Sequence, residues 1–206
     1  MSSGSFIPSI KLEHLVSFSD AIFAFAITIM TLSVDIPNLP TNLTQAELLD
    51  KLYGLYPQFE SYVISFAVIA IFWVSYHQVF NHIKGSHINM VYLNLVFLLL
   101  ITLLSLSTSL IINFDSYQIP LIIYCIVVIL TSLLLALIWW YATTNKYLID
   151  NNLHPFFIKG MFLKLMVVPI VFTISIIISF VNLDMARYIW LLIVPLNIVI
   201  RRRYKH

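Results

Sequence analysis

Charge is nearly absent from six long apolar stretches of this chain, and that pattern decides most of what it can become. Five of them run 21 to 23 residues, the length an α-helix needs to cross a bilayer, and the last runs 13. They are Leu15 to Ile36, Phe59 to Phe80, Met90 to Ile112, Ile119 to Tyr141, Met161 to Val181 and Tyr188 to Ile200. Pro37 closes the first, and a polar segment from Asn38 to Pro57 follows it. Of the 206 residues, 61% are hydrophobic and 10% charged. One soluble core of this size cannot hide so much apolar surface, and soluble domains carry about 25% charged residues. A soluble enzyme is therefore excluded. The expected fold class is an all-α integral membrane protein, a single six-helix transmembrane domain over residues 1–206.

Orientation follows from lysine and arginine. An even number of spans puts both termini on one side. With them fall Lys11, Lys84, Lys146, Lys159, Lys164, Arg201, Arg202, Arg203 and Lys205, nine of the chain's 11 basic residues. Only Lys51 and Arg187 fall on the other side, together with Glu47, Asp50, Asp115 and Asp184. Both termini are thus expected to be cytoplasmic, with the C-terminal basic cluster lying on anionic head groups. A net charge of +2 gives no reason to expect nucleic acid as a partner.

The sequence offers no nucleotide loop, no paired catalytic carboxylates and no metal-spaced His/Cys cluster, so neither enzymatic activity nor a cofactor is expected. His82 and His87 read as residues of a solvated loop. All four glycines (Gly4, Gly54, Gly85 and Gly160) lie outside the spans. A filter built from glycine-permitted backbone carbonyls is therefore ruled out, and side chains must do any coordinating. Pro120, Pro169 and Pro195 are candidate kinks in spans four, five and six.

An ionisable side chain inside a span is costly unless it is paired or wetted, which makes the few present candidates for function. Asp20 lies in span one, Trp73 and His77 near the end of span two, and Asn94 near the start of span three. All four fall at a similar depth on the same side, offering an acceptor, an indole donor, a switchable imidazole and an amide. Two readings are open. The group locks three helices together, or it forms a proton relay or ion site.

Span one also carries a stripe: Ser17, Ala21, Phe25, Thr28, Leu32 and Asp35 recur at three- and four-residue spacing, with Ile29 at the edge. Small, hydroxyl and bulky apolar groups ending in a carboxylate suit a narrow aqueous passage. Apolar rings close such a passage by dewetting, and an acidic mouth concentrates cations. Ordinary packing of membrane helices, which serine and threonine also assist, explains the stripe equally well.

Phe18-Ser19-Asp20, followed by the run from Ala21 to Thr28, resembles the transmembrane protein 175 family. That family comprises endosomal and lysosomal potassium channels and prokaryotic relatives without the usual pore-loop filter. It is marked by R-x-x-x-F-S-D at the start of the first helix. Trp73 and His77 in span two and Asn94 in span three match its tryptophan, histidine and asparagine, while beyond span three only topology agrees. The resemblance implies a homotetramer in a prokaryotic plasma membrane, with the first helices around a central potassium-conducting pore. It places a hydrophobic constriction on Phe25, further apolar rings on Ile29 and Leu32, and the selective hydroxyl layer on Thr28. Ser17, Ala21 and Asp35 would line the pore, and the only metal expected is permeating potassium. His14, Phe18, Ser19, Asp20, Trp73, His77 and Asn94 form the signature network between helices. The family arginine falls on His14, and Lys11 stands one turn earlier; either charge is a candidate partner for Asp20. The alternatives are a proton-coupled transporter using Asp20 and His77, or a membrane scaffold.

Overall fold

The computed structural model describes residues 10–34, 43–85, 87–145, 147–149 and 153–203. The described residues are helical nearly throughout. In order come α1 (Leu12–Met30), extended by a 3-10 turn (Thr31–Ser33), α2 (Gln45–Gly54), α3 (Tyr56–Phe80), α4 (Ile88–Asn113) and α5 (Gln118–Thr144). Then follow α6 (Pro155–Ser179), α7 (Leu183–Tyr188), a 3-10 segment (Ile189–Leu192) and α8 (Ile193–Arg203). Six helical stretches are long and apolar enough to cross a membrane. Asp35 and Ile36 at the expected end of the first span, with Lys146 and Lys205, lie outside the described residues.

The spans start and stop where local chemistry allows. Pro155 opens α6, where its missing N–H costs nothing. His87, His154 and Asn182 accept backbone N–H groups at the starts of α4, α6 and α7. Two features depart from the sequence reading. The polar segment between the first two spans contains α2, opened by a reciprocal cap in which Thr44 and Glu47 bond each other's backbone. The sixth span begins at Leu183, and its α-helix is interrupted by the 3-10 segment. Pro195 supplies the cause: its ring crowds the carbonyl four residues earlier, on Leu191, and it has no N–H to offer that carbonyl. Pro120, in contrast, occupies the first turn of α5, where nothing is lost.

Pro169 stands in the interior of α6 and leaves the Leu165 carbonyl without its helical donor. Ser132 of α5 supplies one, its Oγ donating to Leu165 O at 2.8 Å. In a bilayer such a carbonyl must be satisfied from within the protein, so one hydroxyl lets proline sit at that depth. Elsewhere Trp190 Nε1 donates to Ser175 Oγ at 2.8 Å, and Ser175 donates to Ala186 O at 2.7 Å, tying the sixth span to α6.

α5 packs along α4 and α6, while α1 lies against α4 and α3. Phe23 of α1, Tyr76 and Phe72 of α3 and Phe97 of α4 form one aromatic core; Tyr76 and Phe97 are stacked with centroids 5.6 Å apart. Tyr124, Phe172 and Trp190 form a second. At the end of the bundle where α3 meets α4 and α5 meets α6, Ile83 and Ile149 form a backbone bridge, with Lys84 N–H donating to Leu148 O at 2.8 Å. His82 is half-buried there, 4.9 Å from the Phe157 ring, with Nδ1 2.8 Å from Gln78 O. This corrects its reading as a solvated-loop residue: the segments that follow α3 and α5 are joined there and His82 packs beside them. His87 is exposed.

Candidate functional site

α1 has two unlike faces. Leu15, Ser19, Phe23, Ala26 and Met30 are buried against α3 and α4, each three or four residues after the last. Helical geometry turns the residues between them the other way. Ser17, Phe18, Ala21, Phe25, Thr28, Ile29 and Leu32 are exposed, Phe25 to 59% and Leu32 to 81%, while Phe23 is at 1%.

The buried face is clamped by two hydrogen-bond clusters from adjacent residues. Ser19 Oγ donates to its own helix at Leu15 O, 2.8 Å away, and accepts from Tyr76 Oη at 2.8 Å and from Asn94 Nδ2 at 3.0 Å. One serine oxygen therefore joins α1, α3 and α4. Asp20 Oδ1 accepts from Trp73 Nε1 at 2.9 Å and lies 2.8 Å from His77 Nε2. With the aspartate ionised, His77 serves as donor through its Nε2–H, whether neutral or protonated. The Trp73 and His77 rings meet edge to face at 4.7 Å, so the two donors fix each other as well as the carboxylate.

The expected signature residues thus divide into two groups. Asn94 bonds Ser19, and Asp20 holds Trp73 and His77. Tyr76, which sequence reasoning did not place in the network, completes the Ser19 group; its position one residue before His77 turns it to the buried side of α3. The Asn94 Oδ1 acceptor is buried without a hydrogen-bond partner among the described residues. Asp20 pairs with His77 on α3, and among the described residues no ion pair joins it to His14 or Lys11, both of which are exposed. Farther along, Ser105 of α4 donates to Ala26 O at 2.8 Å.

The exposed face has its own order. Thr28 Oγ1 donates back to Ala24 O and Phe25 O, both at 3.0 Å, which turns its proton inward and leaves oxygen lone pairs outward. Thr31 likewise donates to Thr28 O at 2.6 Å. One turn of α1 therefore presents an oxygen acceptor between bulky apolar side chains. A cavity of about 300 Å³ lies beside it, bounded by Phe25 and Ile29 and by Ser33, Thr102 and Ser105. Among the described residues no three His, Cys, Asp or Glu side chains gather to hold a metal ion.

Residues 14–104, which include most of α1, all of α2 and α3 and most of α4, match the family described as endosomal/lysosomal potassium channel TMEM175. A potassium channel of Streptomyces collinus is 41% identical over 69 residues, 32% of this chain and 31% of that protein. One from Chamaesiphon minutus is 35% identical over 65 residues, 32% of each protein. The matches thus span about a third of the length of these curated relatives. The fold agrees over far more of the chain. A solved lysosomal potassium-selective channel TMEM175 homologue from Chamaesiphon minutus superposes with a TM-score of 0.76 at 20% identity, covering 95% of this chain and 98% of that one. A variant of the potassium channel MtTMEM175, solved with a nanobody fusion protein, covers all of this chain and 98% of its own, with a TM-score of 0.65 at 19% identity. Over residues 14–104 this integral membrane protein is similar in sequence to the TMEM175 family, and over nearly its whole length it shares the fold of solved TMEM175 channels.

Proposed function

We propose that the chain is one subunit of a homotetrameric potassium channel in a prokaryotic plasma membrane, with both termini cytoplasmic and the exposed face of α1 lining a central pore. The observation that carries this reading is the division of α1 into a clamped face and an open one. A helix held to its own subunit by Ser19, Asp20 and Phe23 is free to present Ser17, Ala21, Phe25, Thr28 and Leu32 to three other copies. The matches to proteins named as potassium channels support the choice of ion.

In this reading Phe25, with Ile29 and Leu32, forms the gate: apolar rings in a narrow passage exclude water and hence ions. Thr28 forms the selective layer. Its inward-turned proton leaves four oxygens, one per subunit, to replace part of an ion's hydration shell. Four hydroxyls are weaker ligands than stacked carbonyls, so preference for potassium over sodium should be modest. The Asp20 and His77 pair sets how firmly the start of α1 is held, and so how easily the gate opens. Asp35 would form the outer mouth.

The test is a bi-ionic reversal potential across a planar bilayer holding the purified chain, with potassium on one side and sodium on the other. Current reversing toward the potassium equilibrium potential is expected. Thr28→Ala should move the reversal toward zero; an unchanged reversal would remove Thr28 from the filter. Saturable flux accompanied by protons would instead support a transporter working through Asp20 and His77, and the absence of any flux would leave a scaffold.

A further inference from the structure

The cavity of about 300 Å³ beside the open face of α1 lies in the groove between α1 and α4. Phe25 and Ile29 form its edge on α1, and Thr102, Ser105, Leu106 and Ser109 form its wall on α4. Those four wall residues recur within three and four positions of one another, so a single side of α4 makes the wall. A cavity of half this size, about 150 Å³, accommodates benzene in a protein interior. This one therefore has room for a phenyl ring. The ring at its edge does not occupy it, because Phe25 borders the space and is itself exposed.

The wall has the chemistry that an aromatic ring needs. Ser105 has given its proton to Ala26 O and Thr102 to Leu99 O, both at 2.8 Å. Oxygen lone pairs are what these hydroxyls have left to present. A ring carries the positive part of its quadrupole at the edge, so its C–H groups would meet acceptors there rather than competing donors. Leu106 and Ile29 supply apolar contact for the rest of the ring.

The backbone around Phe25 is held. Ser105 bonds the carbonyl of the next residue, Ala26, and Thr28 bonds the carbonyls of Phe25 and Ala24. The side chain is not held in this way. A phenylalanine in a helix has two accessible χ1 wells, about 120° apart, so its ring can change place while the helix stays where it is. Ile29 differs, since a β-branched side chain in a helix keeps close to one χ1 well.

We propose that this cavity is the receiving pocket of the gate. The passage opens at this level when the Phe25 ring turns into the groove between α1 and α4, and it closes when the ring turns back. Ile29 stays in place and sets the width that remains. This inference rests on the pore reading of α1, and adds to it which side chain moves and what receives it.

Single-channel recording from the full chain in a planar bilayer, with potassium on both sides, tests this by filling the pocket from the α4 wall. Thr102→Phe should lower the open probability about tenfold, because overpacking penalises the turned-in ring. Ser109→Leu should act in the same direction. In a Phe25→Ala background no ring needs the pocket, so neither substitution should lower the open probability further. Conduction by those double variants also shows that both substitutions permit folding. An unchanged open probability in both Thr102→Phe and Ser109→Leu, or an equal fall with and without Phe25→Ala, would overturn the pocket and leave the pore standing. No potassium current from either the wild type or Phe25→Ala would overturn the pore reading, and the pocket with it.

Discussion

The two faces of α1 are made from similar residues and put to different uses. Phe23 and Phe25 are both phenylalanines two positions apart, yet Phe23 is 1% exposed among Tyr76 and Phe97 while Phe25 is 59% exposed. Ser19 and Thr28 both carry a hydroxyl. Ser19 accepts from two other helices, whereas among the described residues the Thr28 hydroxyl bonds its own helix backbone. One face serves to hold the helix within the bundle. The other is left open, and in the proposed channel it faces the ion.

That contrast is best broken by changing one face at a time. The largest expected effect on stability is on the buried side: Phe23→Ala should cost about 3–5 kcal/mol, seen as a large drop in Tm in detergent. Phe25→Ala should leave Tm within the range of a surface change, about ±0.5 kcal/mol, yet raise the resting conductance. If Phe25→Ala destabilises as much as Phe23→Ala, the two faces are not distinct. Asp20→Asn comes next. Hydrogen bonds to a charged group contribute about 1.5–3 kcal/mol, but the Asp20 side chain is 42% exposed, so solvent screening should keep the cost near ~1 kcal/mol. Opening should be affected more than stability, and an unchanged open probability would detach Asp20 from the gate. Ser105→Ala removes a single bond to α1 and should cost only about 0.6 kcal/mol, typical of hydrogen bonds between membrane helices.

The smallest expected effect lies outside the bundle, at α2. Hydrogen bonds from the Thr44 backbone and hydroxyl hold the Glu47 carboxyl below its ordinary value. A carboxylate with a lowered folded pKa stabilises above its unfolded value and loses that contribution as pH falls through the folded one. Amide exchange at the start of α2 should therefore speed up in acid relative to the intrinsic rate, and Glu47→Gln should remove the pH dependence.

Much of this is legible in the sequence because bilayers impose simple rules. Length and missing charge reveal the spans, and the three- and four-residue spacing of α1 reveals its stripe. The intramembrane charge at Asp20 marks the network. Pairing within that network is harder to read. Ser19 and Asp20 are adjacent, and a helix points them about 100° apart, so Asn94 meets the serine and His77 the aspartate. Depth alone could not assign them. α2 is harder to read because its ten residues bury no side chain and are too few to span a bilayer, so only the Thr44 and Glu47 cap and the spacing of Leu48, Leu49 and Leu52 mark it. The interruption of the sixth span depends on where Pro195 falls within the helix, which span length does not reveal. Lys164 counted toward orientation, but its bond to Gln78 required knowing that α3 and α6 meet.

The central claim is that the open face of α1 meets permeating ions and the clamped face does not. It is tested most directly by silver block of single cysteines in a Cys125→Ser background, since a small monovalent cation that binds thiolate follows the path of potassium. Thr28→Cys should be blocked rapidly, and more slowly when potassium is raised. Ala26→Cys, buried against Ser105 of α4, should be spared. A conducting Thr28→Cys channel that silver leaves untouched, or equal block at both positions, would contradict the account.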